Sequence, residues 1–70
     1  MSRILKNSIK CKICGDVIES KHRHDFVWCK CRACAVDGGT AYLKRVWKPD
    51  YDSPEEVYEE LSEVEDGQTV

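Results

Sequence analysis

Cys11-Lys12-Ile13-Cys14-Gly15 and, with fourteen residues between Cys14 and Cys29, Cys29-Lys30-Cys31-Arg32-Ala33-Cys34 decide how this chain folds. Read as a pattern they give C-x2-C followed by C-x-C-x2-C, two thiolate-rich turns separated by enough chain for one β-hairpin. That is the spacing of a zinc ribbon. Gly15 closes the first turn, because a residue without Cβ lets backbone N–H groups rotate toward sulfur. The site so formed is structural, and one Zn2+ per chain is expected.

The remainder of the sequence agrees with a metal-stapled mini-domain. The chain has 70 residues, 41% of them hydrophobic with the cysteines included. So short a chain buries a small fraction of its surface and needs a staple. Disulfides are the rival staple, but five cysteines is an odd number, and Met1-Ser2-Arg3-Ile4-Leu5-Lys6 holds no long apolar run that would act as a signal peptide. A reducing, cytoplasmic setting is therefore expected. No stretch has the apolar length needed to cross a bilayer, so a membrane partner is not expected.

Charge divides the chain. Residues 1 to 48 carry all eleven Lys and Arg against four acids, a balance of +7, whereas residues 49 to 70 carry nine acids and no Lys or Arg. The expected organisation is a basic zinc-ribbon domain over residues 1-48, then a linker and an acidic C-terminal helix over 49-70. Such asymmetry marks either an interaction tail or a self-docking element.

Within the basic part, Arg3 to Lys10 reads as one short strand or arm. Val17 to Ser20 and Phe26 to Trp28 read as strands around a polar tip, Lys21 to Asp25. Val36-Asp37-Gly38-Gly39-Thr40 is a turn signal, and Ala41 to Trp47 a third strand. Beyond the break at Lys48-Pro49-Asp50-Tyr51-Asp52, Ser53-Pro54-Glu55-Glu56 has the form of a helix start: serine cap, proline at the first position, glutamate three residues after the cap. Val57, Leu61 and Val64 recur at helical spacing, which predicts an amphipathic helix from Pro54 to Glu65. Residues 67 to 70 should fray. The fold class expected is thus a small β-rich zinc ribbon of about three antiparallel strands with one C-terminal acidic helix.

Tetrahedral zinc takes four ligands, so five cysteines force a choice. Cys11 and Cys14 form one pair. By spacing alone Cys31 and Cys34 make the matching C-x2-C turn, while Cys29 and Cys31 form a tighter C-x-C chelate.

The run Lys12 to Ser20, then His24-Asp25-Phe26, Cys29-Lys30-Cys31, Val36-Asp37-Gly38-Gly39 and Tyr42-Leu43, resembles an uncharacterised family of small zinc-ribbon-like proteins encoded by bacteria and their phages. The likeness covers about residues 7 to 46. Its members usually show C-x-C-Gly in the second half and often lack a cysteine matching Cys34. The resemblance therefore implies Cys11, Cys14, Cys29 and Cys31 as the metal ligands, with Cys34 as the alternative. Arg32 stands where the family tends to have glycine.

Two function classes follow, and catalysis is not expected. In the first, Glu55, Glu56, Glu59 and Glu60 with Tyr58 present an acidic face to a host protein with a basic cleft, as an inhibitor that imitates a nucleic-acid backbone. In the second, Lys10, Lys12, Lys21, Arg23, Lys30, Arg32, Lys44 and Arg45 bind nucleic acid with help from aromatic side chains. His22 and His24, in the polar tip, read as solvated or loop-ordering residues.

Overall fold

A computed structural model describes residues 2–66. Eight short strands follow in order: β1 Ser2–Lys6, β2 Ser8–Cys11, β3 Val17–Glu19, β4 Val27–Trp28, β5 Cys34–Asp37, β6 Lys44–Trp47, β7 Tyr58–Glu60 and β8 Glu63–Asp66. They form three antiparallel sheets, β1-β8, β3-β2-β7 and β4-β5-β6. β2 and β5 are central strands of the two larger sheets. Ile9, Ile18, Val36, Val57 and Ala33 pack into one buried cluster with Cys11, Cys29 and Cys34, so sulfur is part of the core itself.

The arm expected over Arg3 to Lys10 is two strands, broken at Asn7. This buried amide gives its Nδ2 hydrogens to the carbonyls of Asp37 (3.0 Å), Gly39 (2.9 Å) and Tyr42 (3.2 Å), and its Oδ1 accepts from Arg45 Nη1 at 2.7 Å. A single buried side chain so binds three carbonyls of the 37–42 segment and has its own polar atoms fully partnered. Gly38 and Gly39 complete that turn with positive φ of 106° and 52°. A Cβ on Gly38 would overlap the Tyr42 carbonyl, and one on Gly39 would overlap the backbone of His22. The Asp-Gly-Gly motif is thus a joint between strands. Asp37 Oδ1 accepts the Gly38 N–H, and Gly39 N–H donates to Ser20 Oγ.

The expected ribbon with a C-terminal helix is corrected. Among the described residues the longest helical element is a single 3₁₀ turn, Pro54–Glu56. The start signal operates locally, since the Glu56 carboxylate accepts the N–H groups of Ser53 and Asp52, both at 3.1 Å. Helix does not continue, for two physical reasons. A helix over these residues would set Glu55/Glu59, Glu56/Glu60 and Glu59/Glu63 at i, i+4, where like charges repel. Extended backbone instead finds partners. Lys12 N–H donates to Val57 O at 2.7 Å, β7 pairs with β2, and Leu61 N–H donates to Ser8 O at 3.0 Å. Register then places Glu59 opposite Lys10, Glu63 opposite Lys6 and Glu65 opposite Arg3, the last as an ion pair of 3.1 Å. The acidic segment therefore docks on the chain's own basic strands. Val57, read as one residue of a helical stripe, is fully buried, while Val64 is exposed.

Candidate metal centre

Two turns carry the cysteines. Cys11 ends β2, and its carbonyl accepts the Gly15 N–H at 2.9 Å while its Sγ accepts the Cys14 N–H at 3.5 Å. Gly15 has φ of 79° and open space around it, so glycine is there for conformation alone. Cys29 follows β4, and its carbonyl accepts the Arg32 N–H at 3.0 Å. Arg32 sits at φ 60°, the left-handed region that costs a side-chain-bearing residue about 1–2 kcal/mol. Lys30 N–H donates to Asp16 Oδ2 at 3.1 Å, tying the second turn to the first.

The turns bring four sulfurs together. Sγ of Cys11, Cys14, Cys29 and Cys31 all lie within 4.8 Å of one another, with Cys11 to Cys31 at 3.7 Å and Cys29 to Cys31 at 3.6 Å. A tetrahedron with metal–sulfur bonds of about 2.3 Å has edges of about 3.8 Å, so the spacing fits a divalent ion. Cys11 and Cys29 are buried, Cys31 is half-buried and Cys14 faces solvent. Cys34 is buried and outside the four, with its Sγ 3.8 Å from that of Cys29.

The surroundings differentiate the thiols. Burial opposes ionisation of Cys29, but a backbone hydrogen bond from Cys34 and the thiols of Cys31, Cys11 and Cys34 bring it down to about 6. A backbone hydrogen bond from Cys31, then one from Asp16, lowers Cys14 against a smaller opposing effect of burial. Burial, reinforced by the neighbouring thiols, pushes Cys31 up to about 12. Cys34 is pushed up by burial and by Cys29, and is held as the neutral thiol. The cluster thus has ready thiolates, and a proton to lose when a cation arrives.

The remaining residues singled out in the sequence lie elsewhere. His24 Nδ1 is 3.2 Å from the Tyr42 hydroxyl, and Asp25 Oδ2 accepts the Lys21 N–H at 3.0 Å, so this pair orders the tip. Glu55, Glu56, Tyr58, Glu59 and Glu60 do not line one face. Glu55 lends its carbonyl to Lys12 Nζ, Glu56 closes the 3₁₀ turn, Glu59 faces Lys10, and Glu60 is bound by Arg45. Tyr58 rests half-buried with its ring 6.3 Å from that of Trp47. Asn7, Ser20 and Asp16, which carry the joints around the site, went unread. Asn7 sits inside the stretch read as one strand, and no local signal marks it as the break.

Residues 3–47 match the family described as Domain of unknown function (DUF7695). The chain belongs to this family. The DUF7695 region takes in all five cysteines and the Asp37-Gly38-Gly39 joint, and it encloses residues 7 to 46, over which the resemblance was drawn. It stops at Trp47, before the segment that supplies Val57 and β7. No curated protein and no solved structure matches the chain.

Proposed function

We propose that the protein is a small zinc-binding module in which Cys11, Cys14, Cys29 and Cys31 hold one structural Zn2+, and which works by presenting a surface to a macromolecular partner. The observation that carries this reading is the convergence of four sulfurs from two separate turns at tetrahedral spacing. Zinc is favoured over other cations because an all-thiolate set is soft and four-coordinate. Four thiolates also leave no open position for substrate, which argues for binding over catalysis. Thiols kept ready for metal require a reducing compartment, such as the cytosol.

The capture of a basic cleft by an acidic helix is not carried forward, because the helix is replaced by a 3₁₀ turn and β7, and Glu60 is bonded to Arg45. Elemental analysis of the reduced protein tests the metal reading. One zinc per chain, with loss of folded structure on chelation, is expected because binding energy of such a site is folding energy. A fully folded, chelator-resistant chain without metal would refute it.

A further inference from the structure

The sheet β4-β5-β6 has an outer face of unusual composition. Directly opposed residues of an antiparallel pair share a face. Val27, Val36 and Arg45 are in register, and Val36 and Cys34 belong to the core, so this row faces inward. Trp28, Ala35 and Val46 form the adjacent row and face outward, as do Asp37 and Lys44. Ala35 is buried yet lies outside the core cluster, which fits a small residue covered from the outer side. Phe26 precedes Trp28 by two residues, and their rings stand 5.4 Å apart at 59°, exposed by 43% and 41%.

Charge around this face is predominantly positive. Between Phe26 and Lys48 the sole acid is Asp37, nearly buried and bonded to the Gly38 N–H. Lys30 and Arg32 sit on the metal turn that follows Trp28, Lys44 lies on the outer face of β6, and Lys48 extends that strand by donating its N–H to Ala33 O. All four are exposed, and neither ion pair among the described residues involves them. Of the tail acids, Glu65 and Glu60 are bonded to Arg3 and Arg45, and Glu59 and Glu63 stand opposite Lys10 and Lys6, while Asp16 Oδ2 accepts the Lys30 N–H. The segment from Phe26 to Lys48 thus carries five cations, Lys30, Arg32, Lys44, Arg45 and Lys48, against the single acid Asp37.

We propose that this outer face, centred on Phe26 and Trp28 and flanked by Lys30, Arg32, Lys44 and Lys48, is a platform for single-stranded nucleic acid. Aromatic rings accept bases by stacking whatever their sequence, and the flanking cations take the phosphates. A duplex hides its bases and offers the rings nothing. Of the eight basic residues implicated by the sequence, Lys30, Arg32 and Lys44 belong to this face and Lys48 is added; Lys10 and Lys12 lie by β7 and the 3₁₀ turn, Arg45 is bonded to Glu60, and Lys21 and Arg23 are in the polar tip. This proposal goes beyond the metal reading and needs it only in that the second turn holds β4.

The test uses the full, zinc-loaded chain with labelled oligothymidylate and oligouridylate about 15 nucleotides long, and a duplex of equal length. Both single strands should bind more tightly than the duplex, with a log–log salt slope of about -3 for four phosphate contacts. Trp28→Ala should weaken binding on the order of tenfold at unchanged zinc content, Trp28→Phe should retain most of it, and Lys44→Ala should reduce the slope by about 0.7. Lys10→Ala, on the other sheet, should change nothing. Equal binding of duplex, insensitivity to Trp28→Ala in a protein that keeps its zinc, or preference for an acidic peptide at the same residues would each overturn the proposal. Absence of zinc with intact oligonucleotide binding would refute the metal reading alone.

Discussion

Arg45 on β6 grips Glu60 on β7 through two parallel hydrogen bonds, Nε to Oε1 at 2.9 Å and Nη2 to Oε2 at 2.6 Å. The same guanidinium reaches Asn7 Oδ1 and Ser62 Oγ, and its side chain is only 9% exposed. It thereby fastens the C-terminal segment to the sheet that follows the second metal turn. Bidentate geometry of this kind is what arginine offers and lysine does not.

Arg45→Ala should therefore destabilise the zinc-loaded protein by about 2–4 kcal/mol, because it leaves Asn7 and Glu60 without their partner. Glu60→Gln should cost less, about 1 kcal/mol, since Glu60 is half exposed and solvent screens it. Denaturant titrations of both singles and the double variant should give a coupling of at least about 0.5 kcal/mol.

The pH dependence of that pair has a definite sign. Burial opposes ionisation of Glu60, but hydrogen bonds from Arg45 and Ser62 outweigh it and hold the carboxyl below its usual range. Its contribution is complete above the ordinary carboxylate pKa and fades as pH falls through the lowered value. Glu60→Gln should flatten this acid limb of the stability profile, measured with Arg45 intact. An unchanged limb would assign it wholly to other groups.

Replacing single cysteines separates ligands from packing. Cys29→Ser and Cys31→Ser should lose most zinc affinity, each removing a soft donor. Cys34→Ala should keep one zinc and lose about 1 kcal/mol of stability, as a buried side chain is truncated. Zinc loss in Cys34→Ala with retention in Cys29→Ser would show that Cys34 takes the fourth position.

Zinc affinity should rise with pH. Cys31, pushed up to about 12, is protonated at neutral pH in the metal-free protein, whereas Cys29, brought down to about 6, is largely thiolate. Binding must expel at least one proton, so affinity should increase about tenfold or more per unit between about pH 7 and 9. Calorimetry in two buffers of different ionisation enthalpy reads the proton count directly.

Glycine positions should respond unequally. Gly15→Ala meets only the cost of positive φ, about 1 kcal/mol, because no atom lies near the added carbon. Gly38→Ala should abolish the folded state, since the new carbon overlaps Tyr42 backbone. Arg32→Gly should stabilise by up to about 1 kcal/mol by relieving the left-handed arginine. Thermal melts of zinc-loaded proteins rank all three.

Much of the metal region is readable from residues alone because its determinants are local. Thiol spacing, Gly15, and the β-branched and aromatic runs at Val17 and Val27 act within a few positions of themselves. β5 escaped notice because Cys34 was weighed as a ligand and Val36-Asp37 as part of the glycine turn, although the strand is central and buried throughout. The helix was misread for a different reason. Val57, Leu61 and Val64 fit helical spacing, and only contacts more than forty residues away, such as Glu59 with Lys10 and Leu61 with Ser8, decide for strand. Arg32 shows the converse: it stands where the resemblance implies glycine, and the backbone nevertheless accommodates it at φ 60°.

Pairing of β1 with β8 has a consequence for synthesis. Ser2 meets Asp66, and Arg3 meets Glu65, so β1 is completed only by β8, the last strand described. At about 5–20 residues per second the ribosome needs several seconds to deliver residues 63–66 after Ser2 has formed. For that interval Ile4 and Leu5 lie on an unpaired strand that other nascent chains can join. Arg3 and Lys6, which flank them, place positive charge on that edge and so discourage association between copies until their acidic partners arrive. The charge division of the chain thus also protects it during birth.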